Sequence, residues 1–376
     1  MKKVFTLCYF ISIIIIFPLS ATADWINLTG AQSAPNIAEI HVEDDHMRLV
    51  LEIYVGDLDK FIDLLPDDFF KQAEVKPPPL KERLKRFSTD GFQFLHDGKK
   101  RLQAKLKMVE PQLRKERPNP FAGSINPYTR QPIPGPPEDK RVLYAELIYP
   151  FTTRPETITI VPPLDTRGNA AASIGFIAYH KGVPVVDYRY LSESSTLDLD
   201  WNDPWYSRFE KKALKRWQQS GLRIFLYVEP YEVRHEILVR VKDLAAWMDL
   251  GLRGEEFIET DEFDVLKQRA GEFFLKQANV LIDGQKLRPI LDRTNFVKYT
   301  MTRTFFLEQP ERMQLNTAML GVIITYLTEG IPQKVTADWD LFSERIQKVP
   351  ASAVDPAGPF PSYVTPDDNV LTWTNF

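Results

Sequence analysis

A repeated phrase is the feature that most restricts the fold of this chain. The segment VGDLDKFIDL at Val55–Leu64 returns as VKDLAAWMDL at Val241–Leu250. At the same offset and without gaps, Ile40–Lys100 matches Leu226–Lys286, with LKERLKRF against LKQRAGEF and DGKK against DGQK. A period of this length is that of a whole domain, because solenoid repeats run to roughly 20–50 residues. The sequence therefore predicts two tandem domains that arose by internal duplication.

The match continues at a shorter offset toward the end of each copy. YPFTTRPETIT from Tyr149 aligns with YLTEGIPQKVT from Tyr326. The extra residues of the first copy fall in a proline-rich, polar segment, 117–140, whose composition is typical of a loop. The predicted parts of the chain are a first repeat at 24–208, a linker at 209–221 and a second repeat at 222–376.

Hydrophobic periodicity predicts a mainly β fold for each copy. In MRLVLEIYV, apolar side chains alternate from Met47 to Val55, which is the period of a strand with one buried face. VRHEILVRV repeats this alternation in the second copy, and HDGKK and IDGQK are typical of hairpin turns. Leu80–Phe87 has helical spacing. We expect two tandem antiparallel β-sandwich domains, Ig-like, each with a small helical insertion.

The linker at 209–221 is predicted to be an amphipathic helix. Phe209, Leu214 and Trp217 would share the face that contacts the two domains. Gly221 stands where such a helix would end.

The chain begins with the pattern of a secretory signal peptide at residues 1–23. A basic pair, Lys2–Lys3, precedes the apolar stretch Val4–Leu19, and Ala21–Ala23 fits a cleavage site. We expect export by a Sec-type signal to the periplasm or the outside of the cell. Cys8 is the only cysteine, so the mature chain would have to fold without disulfides.

Composition and motifs give no sign of a nucleic-acid partner or a cofactor. The chain has 47 basic and 51 acidic residues and a net charge of −4, whereas binding to phosphate backbones needs a basic surface. The sequence contains no G-x-S-x-G, P-loop, H-E-x-x-H or dinucleotide-binding pattern. We therefore predict no catalytic residue and no cofactor from motifs.

Histidines and aspartates supply two weak candidate metal sites. His41 and His46 flank VEDD, but the second copy keeps neither. Asp198 and Asp200 in DLDWND resemble the start of a calcium loop that lacks its later glycine and glutamate. No metal is predicted, with these four residues as the ones to check. His235 has the buried parity of its strand, where the first copy has a leucine, and is expected to be a hydrogen-bonded structural histidine.

WNDPWYSRF is the most unusual candidate binding surface. Trp201, Trp205 and Tyr206, close to Asp203, could stack on sugar rings or anchor a protein partner. In the alternative interpretation Trp201 completes a core strand, and the other two rings pack against the linker.

Three classes of function remain open. Tandem β domains without a cofactor motif favour a non-catalytic extracytoplasmic protein that binds an envelope protein or a membrane component. A carbohydrate-binding module using Trp205 and Tyr206, with a polysaccharide as partner, is one alternative, and an envelope hydrolase is another. Because the chain stops soon after Trp373, which mirrors Trp201, we also expect a membrane segment after Phe376 in the parent protein.

Overall fold

The computed structural model describes residues 28–72, 76–299, 304–306 and 311–375. The predicted signal peptide, including Cys8, lies outside these residues. The described chain is mainly β, which confirms the coarse prediction of the fold class. Among the described residues, no helix is long and apolar enough to span a bilayer.

The first half is built mostly from strands. They are β1 (Asn36–Val42), β2 (His46–Tyr54), β3 (Gln93–His96), β4 (Lys100–Arg101), β5 (Lys105–Leu113), β6 (Arg141–Pro150), β7 (Thr157–Val161), β8 (Ile174–His180), β9 (Val183–Tyr190), β10 (Ser195–Asp198) and β11 (Arg208–Phe209). Its helical elements are α1 (Asp67–Gln72), α2 (Leu80–Asp90) and the 3-10 segments Ala31–Ser33, Val55–Leu64 and Pro204–Tyr206.

The second half has a matching set of elements. Its strands are β12 (Leu222–Val228), β13 (Glu232–Arg240), β14 (Phe257–Ile258), β15 (Asn279–Ile282), β16 (Ile290–Tyr299), β17 (Thr304–Phe306), β18 (Met313–Gln314), β19 (Met319–Leu327), β20 (Lys334–Asp338), β21 (Val349–Asp355), β22 (Gly358–Val364) and β23 (Val370–Thr374). Its helices are α3 (Val241–Leu244), the 3-10 turn Thr260–Glu262 and α4 (Phe263–Gln277).

The large sheets of the two halves have the same strand order. In the first half the order is β5-β6-β2-β1-β8-β9, and in the second it is β17-β16-β19-β13-β12-β21-β22. Apart from the extra edge strand β17, the two orders correspond strand for strand. The smaller sheets correspond as well, because β10-β7-β3 matches β23-β20-β15.

Each large sheet departs in one place from the expected antiparallel pairing. β1 lies parallel to β8, and β12 lies parallel to β21. A parallel pair needs a long crossover between its strands, and here most of each half lies between them. Sequence periodicity reports which face of a strand is buried and carries no information about such distant pairing.

The alternating strands bury the side chains that the sequence predicts. Met47, Leu49, Leu51 and Ile53 of β2 belong to a hydrophobic core built from residues of the first half. A second core is built from residues of the second half, including those of β13. The predicted helical insertion is present in α2, where Phe87 is buried. Residues 117–140 contain no helix or strand, as their proline-rich composition predicts.

The linker prediction is wrong, because residues 209–221 form β11's last residue followed by turns and bends. The backbone is held by tertiary hydrogen bonds in place of helical ones. Arg216 donates to the carbonyl oxygens of Gln218, Pro184 and Trp205 at 2.6, 3.0 and 2.6 Å. The Trp217 amide donates to the carboxylate of Asp187 in β9. Contacts with the first half therefore override the amphipathic pattern.

Candidate functional site

A buried ion-pair network joins the two halves. Arg240, the last residue of β13, is fully buried and donates two hydrogen bonds of 2.7 Å to the Asp203 carboxylate of the first half. It also donates to Asp243, which lies one helical turn later in α3. Buried charges are stable only when they are paired and hydrogen-bonded. The triad meets this condition and connects the end of β13 to the 200–207 segment.

Charge and close packing in this network depend on each other. Burial alone would raise the pKa of Asp203, but the hydrogen bonds from Arg240 lower it below its ordinary value. Gly221 approaches the Asp243 carboxylate so closely that any side chain at this position would collide with it. The glycine that we expected at a helix end is therefore required by this contact.

Two further cations of the second half reach the same segment. Arg345 donates to the Asp200 carboxylate at 2.6 Å, and the Lys242 ammonium donates to the Asn202 carbonyl oxygen at 3.0 Å. The DLDWND segment, which resembles the start of a calcium loop, therefore makes contacts between the halves. The Asp200 and Asp203 carboxylates are already occupied by guanidinium groups.

The weak metal candidates are dispersed. The His41 ring stacks on Tyr179 with centroids 4.8 Å apart, and burial, with help from Arg48, lowers the pKa of His41 to about 4. His46 Nδ1 lies 2.6 Å from a carboxylate oxygen of Asp45. Asp198 lies at the end of β10, away from both histidines along the chain. Within the described residues, no group of three or more histidine, cysteine or acidic side chains could hold a metal ion.

The aromatic candidates are placed at the junction, with arginines over their rings. Trp205 is only 7% exposed, and the guanidinium carbons of Arg216 and Arg240 lie 3.8 and 5.0 Å from its ring centroid. The Tyr206 ring is half-buried, with Arg345 at 4.6 Å. Through these arginines, the Trp205 and Tyr206 rings contact both the linker and the second half.

Trp201 is half-buried and is also held on several sides. Its indole N–H donates to the Pro155 carbonyl oxygen at 2.6 Å, and the His180 ring meets it edge-on at 4.5 Å. The guanidinium carbon of Arg154 lies 5.0 Å from its centroid. Part of this indole borders an open groove.

A serine and a histidine that belong to no recognisable sequence motif meet near Trp201. His180 Nδ1 lies 2.7 Å from Ser207 Oγ, and the Asp200 amide donates to the same hydroxyl at 2.9 Å. Ser207 is only 4% exposed and His180 is fully buried. Burial lowers the pKa of His180 to about 4, which keeps the ring neutral near pH 7. The pair fixes the turn that presents Asp200 and Asp203.

A groove of about 610 Å³ opens beside this network, with walls from both halves. The first half contributes Lys181, Trp201 and Asn202, and the second half contributes the 245–256 segment. The lining is mixed, since apolar side chains lie beside ammonium, amide and carboxylate groups. Its apolar members are Trp201, Pro204, Ala245, Met248, Leu250, Leu252 and Leu315. Lys242 crosses the groove, donating to Asn202 and to the Asn316 side chain at 3.0 Å each.

Comparison with protein-family models gives no match, and comparison with curated proteins gives no significant one.

Proposed function

We propose that this chain is a non-catalytic binding protein of the cell envelope, exported by its signal peptide, and that the junction groove holds a polypeptide segment of an envelope partner. The observation that carries the proposal is that both halves supply the walls of this groove. The Arg240 network fixes the walls relative to each other, so that little conformational entropy would be lost on binding.

The lining suits a polypeptide. Met248, Leu250 and Leu252 provide flexible apolar surface, and methionine and leucine adapt to side chains of different shape. Lys181 and Glu256, 3.8 Å apart at the rim, can pair with charged or polar groups of a partner. A volume of this size lies within the range of ordinary ligand-binding sites, roughly 300–1,000 Å³.

A sugar ligand is less well supported. Carbohydrate recognition by stacking needs a free aromatic face, and the Trp205 ring is buried beneath two arginines. The indole of Trp201 borders the groove, but Arg154 lies over its ring. The arrangement therefore favours a protein partner over a polysaccharide.

We further propose that the two halves are Ig-like β-sandwiches that arose by duplication. Three observations support a common origin: the corresponding strand orders, the parallel pair at the same place in each large sheet, and the DG turns that follow β3 and β15. Asp97 and Gly98 have φ of 50° and 65°, and Asp283 and Gly284 have φ of 49° and 77°.

Site-specific photo-crosslinking in intact cells tests the binding proposal. A photoreactive phenylalanine analogue would replace Asn202 on one wall, Leu250 on the other, or Lys99 on a distant hairpin as the control. We expect positions 202 and 250 to give the same protein adduct and position 99 to give none. Adding Leu250→Arg should abolish the adduct at position 202, because the charge enters the apolar part of the groove.

The proposal fails if the two groove positions share no adduct, or if position 99 gives the same one. Fractionation of the same cells tests the location, which we expect to be the periplasm. Recovery of the full-length chain with its first residues intact in the cytoplasm would contradict export.

A further inference from the structure

A basic cleft lies on the linker, separate from the junction groove. Its volume is about 730 Å³, and it is lined mainly by residues 205–219 together with Val185 and Asp198. Two acidic side chains, Asp198 and Glu210, lie among five basic ones. The basic residues are Arg208, Lys211, Lys212, Lys215 and Arg216. This excess is local, because the whole chain has a net charge of −4.

Three of these five basic side chains, those of Arg208, Lys212 and Lys215, are exposed and are not bound by other described residues. Lys211 differs from them, since it binds the Ser194 carbonyl oxygen and Glu193 at 2.5 and 2.8 Å. Within the described residues, the side chains of Arg208, Lys212 and Lys215 form no ion pair or hydrogen bond, and all three are exposed. Their N–H groups are therefore available to a ligand.

Arg216 adds a fixed positive charge to the wall of the cleft. Its guanidinium is buried and donates to three carbonyl oxygens, which accept three of its five N–H groups without neutralising its charge. Within the described chain, no carboxylate lies within ion-pair distance of it. Burial, and then repulsion from Arg240, lower the pKa of Arg216 to about 10, which leaves it charged at neutral pH.

We propose that this cleft binds a multiply charged anion of the phosphate class. A phosphate-bearing group offers several oxygens to Arg208, Lys212 and Lys215, and arginine and lysine are the usual donors to such groups. The buried charge of Arg216 favours an anion at the cleft from a fixed position, without reorganisation. The source of the phosphate is either a soluble phosphate compound or the headgroup of an anionic lipid. This inference is independent of the polypeptide groove.

The test compares two variants that lose the same charge. The cleft variant is Arg208→Gln with Lys212→Gln and Lys215→Gln, and the control is Arg101→Gln with Lys99→Gln and Lys100→Gln on an exposed hairpin. Binding of inorganic pyrophosphate is measured by calorimetry at low salt. Co-sedimentation with vesicles is measured with phosphatidylglycerol–phosphatidylcholine mixtures and with phosphatidylcholine alone. Thermal unfolding monitored by circular dichroism verifies that both variants fold.

We expect the cleft variant to bind at least about tenfold more weakly than wild type, since three exposed charge pairs each contribute a modest factor. The control should bind like wild type. Binding of pyrophosphate identifies a soluble ligand, and binding only to phosphatidylglycerol vesicles identifies a lipid headgroup. Equal weakening in both variants would show attraction by net charge alone and overturn the proposal. So would the absence of wild-type binding to both probes.

Discussion

The turns between the first two strands of the two halves share a backbone hydrogen bond but differ in the contacts of their side chains. In the first half, the Phe151 amide donates to the Asp45 carbonyl oxygen at 2.9 Å. In the second half, the Thr328 amide donates to the Tyr231 carbonyl oxygen at the same distance. The two halves share the strand order and this bond.

Side chains at the first turn are charged and face the junction. Asp44 pairs with Arg154 at 2.7 Å and with Lys181 at 3.0 Å, and Lys181 reaches Glu256 of the second half. At the second turn, Tyr231 is 72% exposed and Leu327, opposite the neighbouring residue, is 65% exposed. The scaffold is thus common to both halves, whereas the junction exists at one end only.

Disruption of the Arg240 network at the junction should have the largest effect on the free energy of unfolding. Arg240→Met should lower the free energy of unfolding by about 3–5 kcal/mol, because Asp203 and Asp243 would stay buried without their cation. The control is Arg234→Met, which removes only partly exposed ion pairs and should cost about 0–1 kcal/mol. Urea unfolding measures both. Adding Asp203→Asn and Asp243→Asn to Arg240→Met should recover part of the loss. A cost below about 1 kcal/mol for Arg240→Met would show that the network is not essential.

A buried histidine distinguishes the two large sheets. His235 is in β13 where β2 has Leu49, and neither of its ring nitrogens has a hydrogen-bond partner in the described chain, so the expected hydrogen bond is absent. Burial lowers its pKa to about 4 from an ordinary value of 6.5. Between these values the unfolded chain binds more protons, so the free energy of unfolding decreases as the pH falls from about 6.5 to about 4.

His235→Leu introduces the residue that the first half has at this position, and it removes the loss of stability at low pH that the buried histidine causes. Its stability advantage over wild type should increase by about 3 kcal/mol between pH 8 and pH 4. Urea unfolding across this pH range measures the difference, and the value at pH 8 serves as the control because the wild-type ring is neutral there in both states. An advantage that does not change with pH would contradict the assignment of a buried, uncharged ring.

The fold could be predicted where local pattern decides structure. Alternating apolar residues placed β2 and β13 correctly, and DG dipeptides placed the turns after β3 and β15. The pairing of β1 with β8 could not be predicted, because the partners are far apart in the chain and share no local pattern. The amphipathic spacing of the linker predicts a helix, but Arg216 binds the carbonyl oxygens of Pro184 and Trp205 outside the linker.

The candidate site was only partly visible in the sequence. The sequence marks WNDPWYSRF as unusual, and Asp203, Trp205 and Tyr206 of this segment contact Arg240. The missing partners were Arg240, Lys242 and Arg345, which belong to the second half. Arg240 alternates to the outer face of β13, where a charged residue is ordinarily solvated. It is buried only because the first half covers it, and tertiary contact of this kind leaves no periodic signal.

Matched substitutions in the DG turns test whether the two turns contribute equally to stability. The Asp97 carboxylate accepts from the amides of Glu156 and Thr157 at 2.8 and 3.0 Å. The Asp283 carboxylate accepts from the equivalent amides before and at the start of β20, at 2.8 Å each. Asp97→Ala and Asp283→Ala should each lower the free energy of unfolding by about 2 kcal/mol, because two hydrogen bonds are lost. Unequal costs, differing by more than about 1 kcal/mol, would show that the turns are not equivalent.

The smallest expected effect concerns the glycines of the same turns. Gly98 and Gly284 have φ of 65° and 77°, and a Cβ at either position would meet no atom within 4 Å. Alanine there would therefore be strained by its backbone conformation alone, at a cost of about 1 kcal/mol in each half. Gly330 is the control, because it is equally open but lies outside the left-handed region, so Gly330→Ala should have almost no cost or a slight benefit. Thermal unfolding of the three variants measures these costs. A loss at Gly330 as large as at the other two would mean that the added methyl group, and not the left-handed backbone, is responsible.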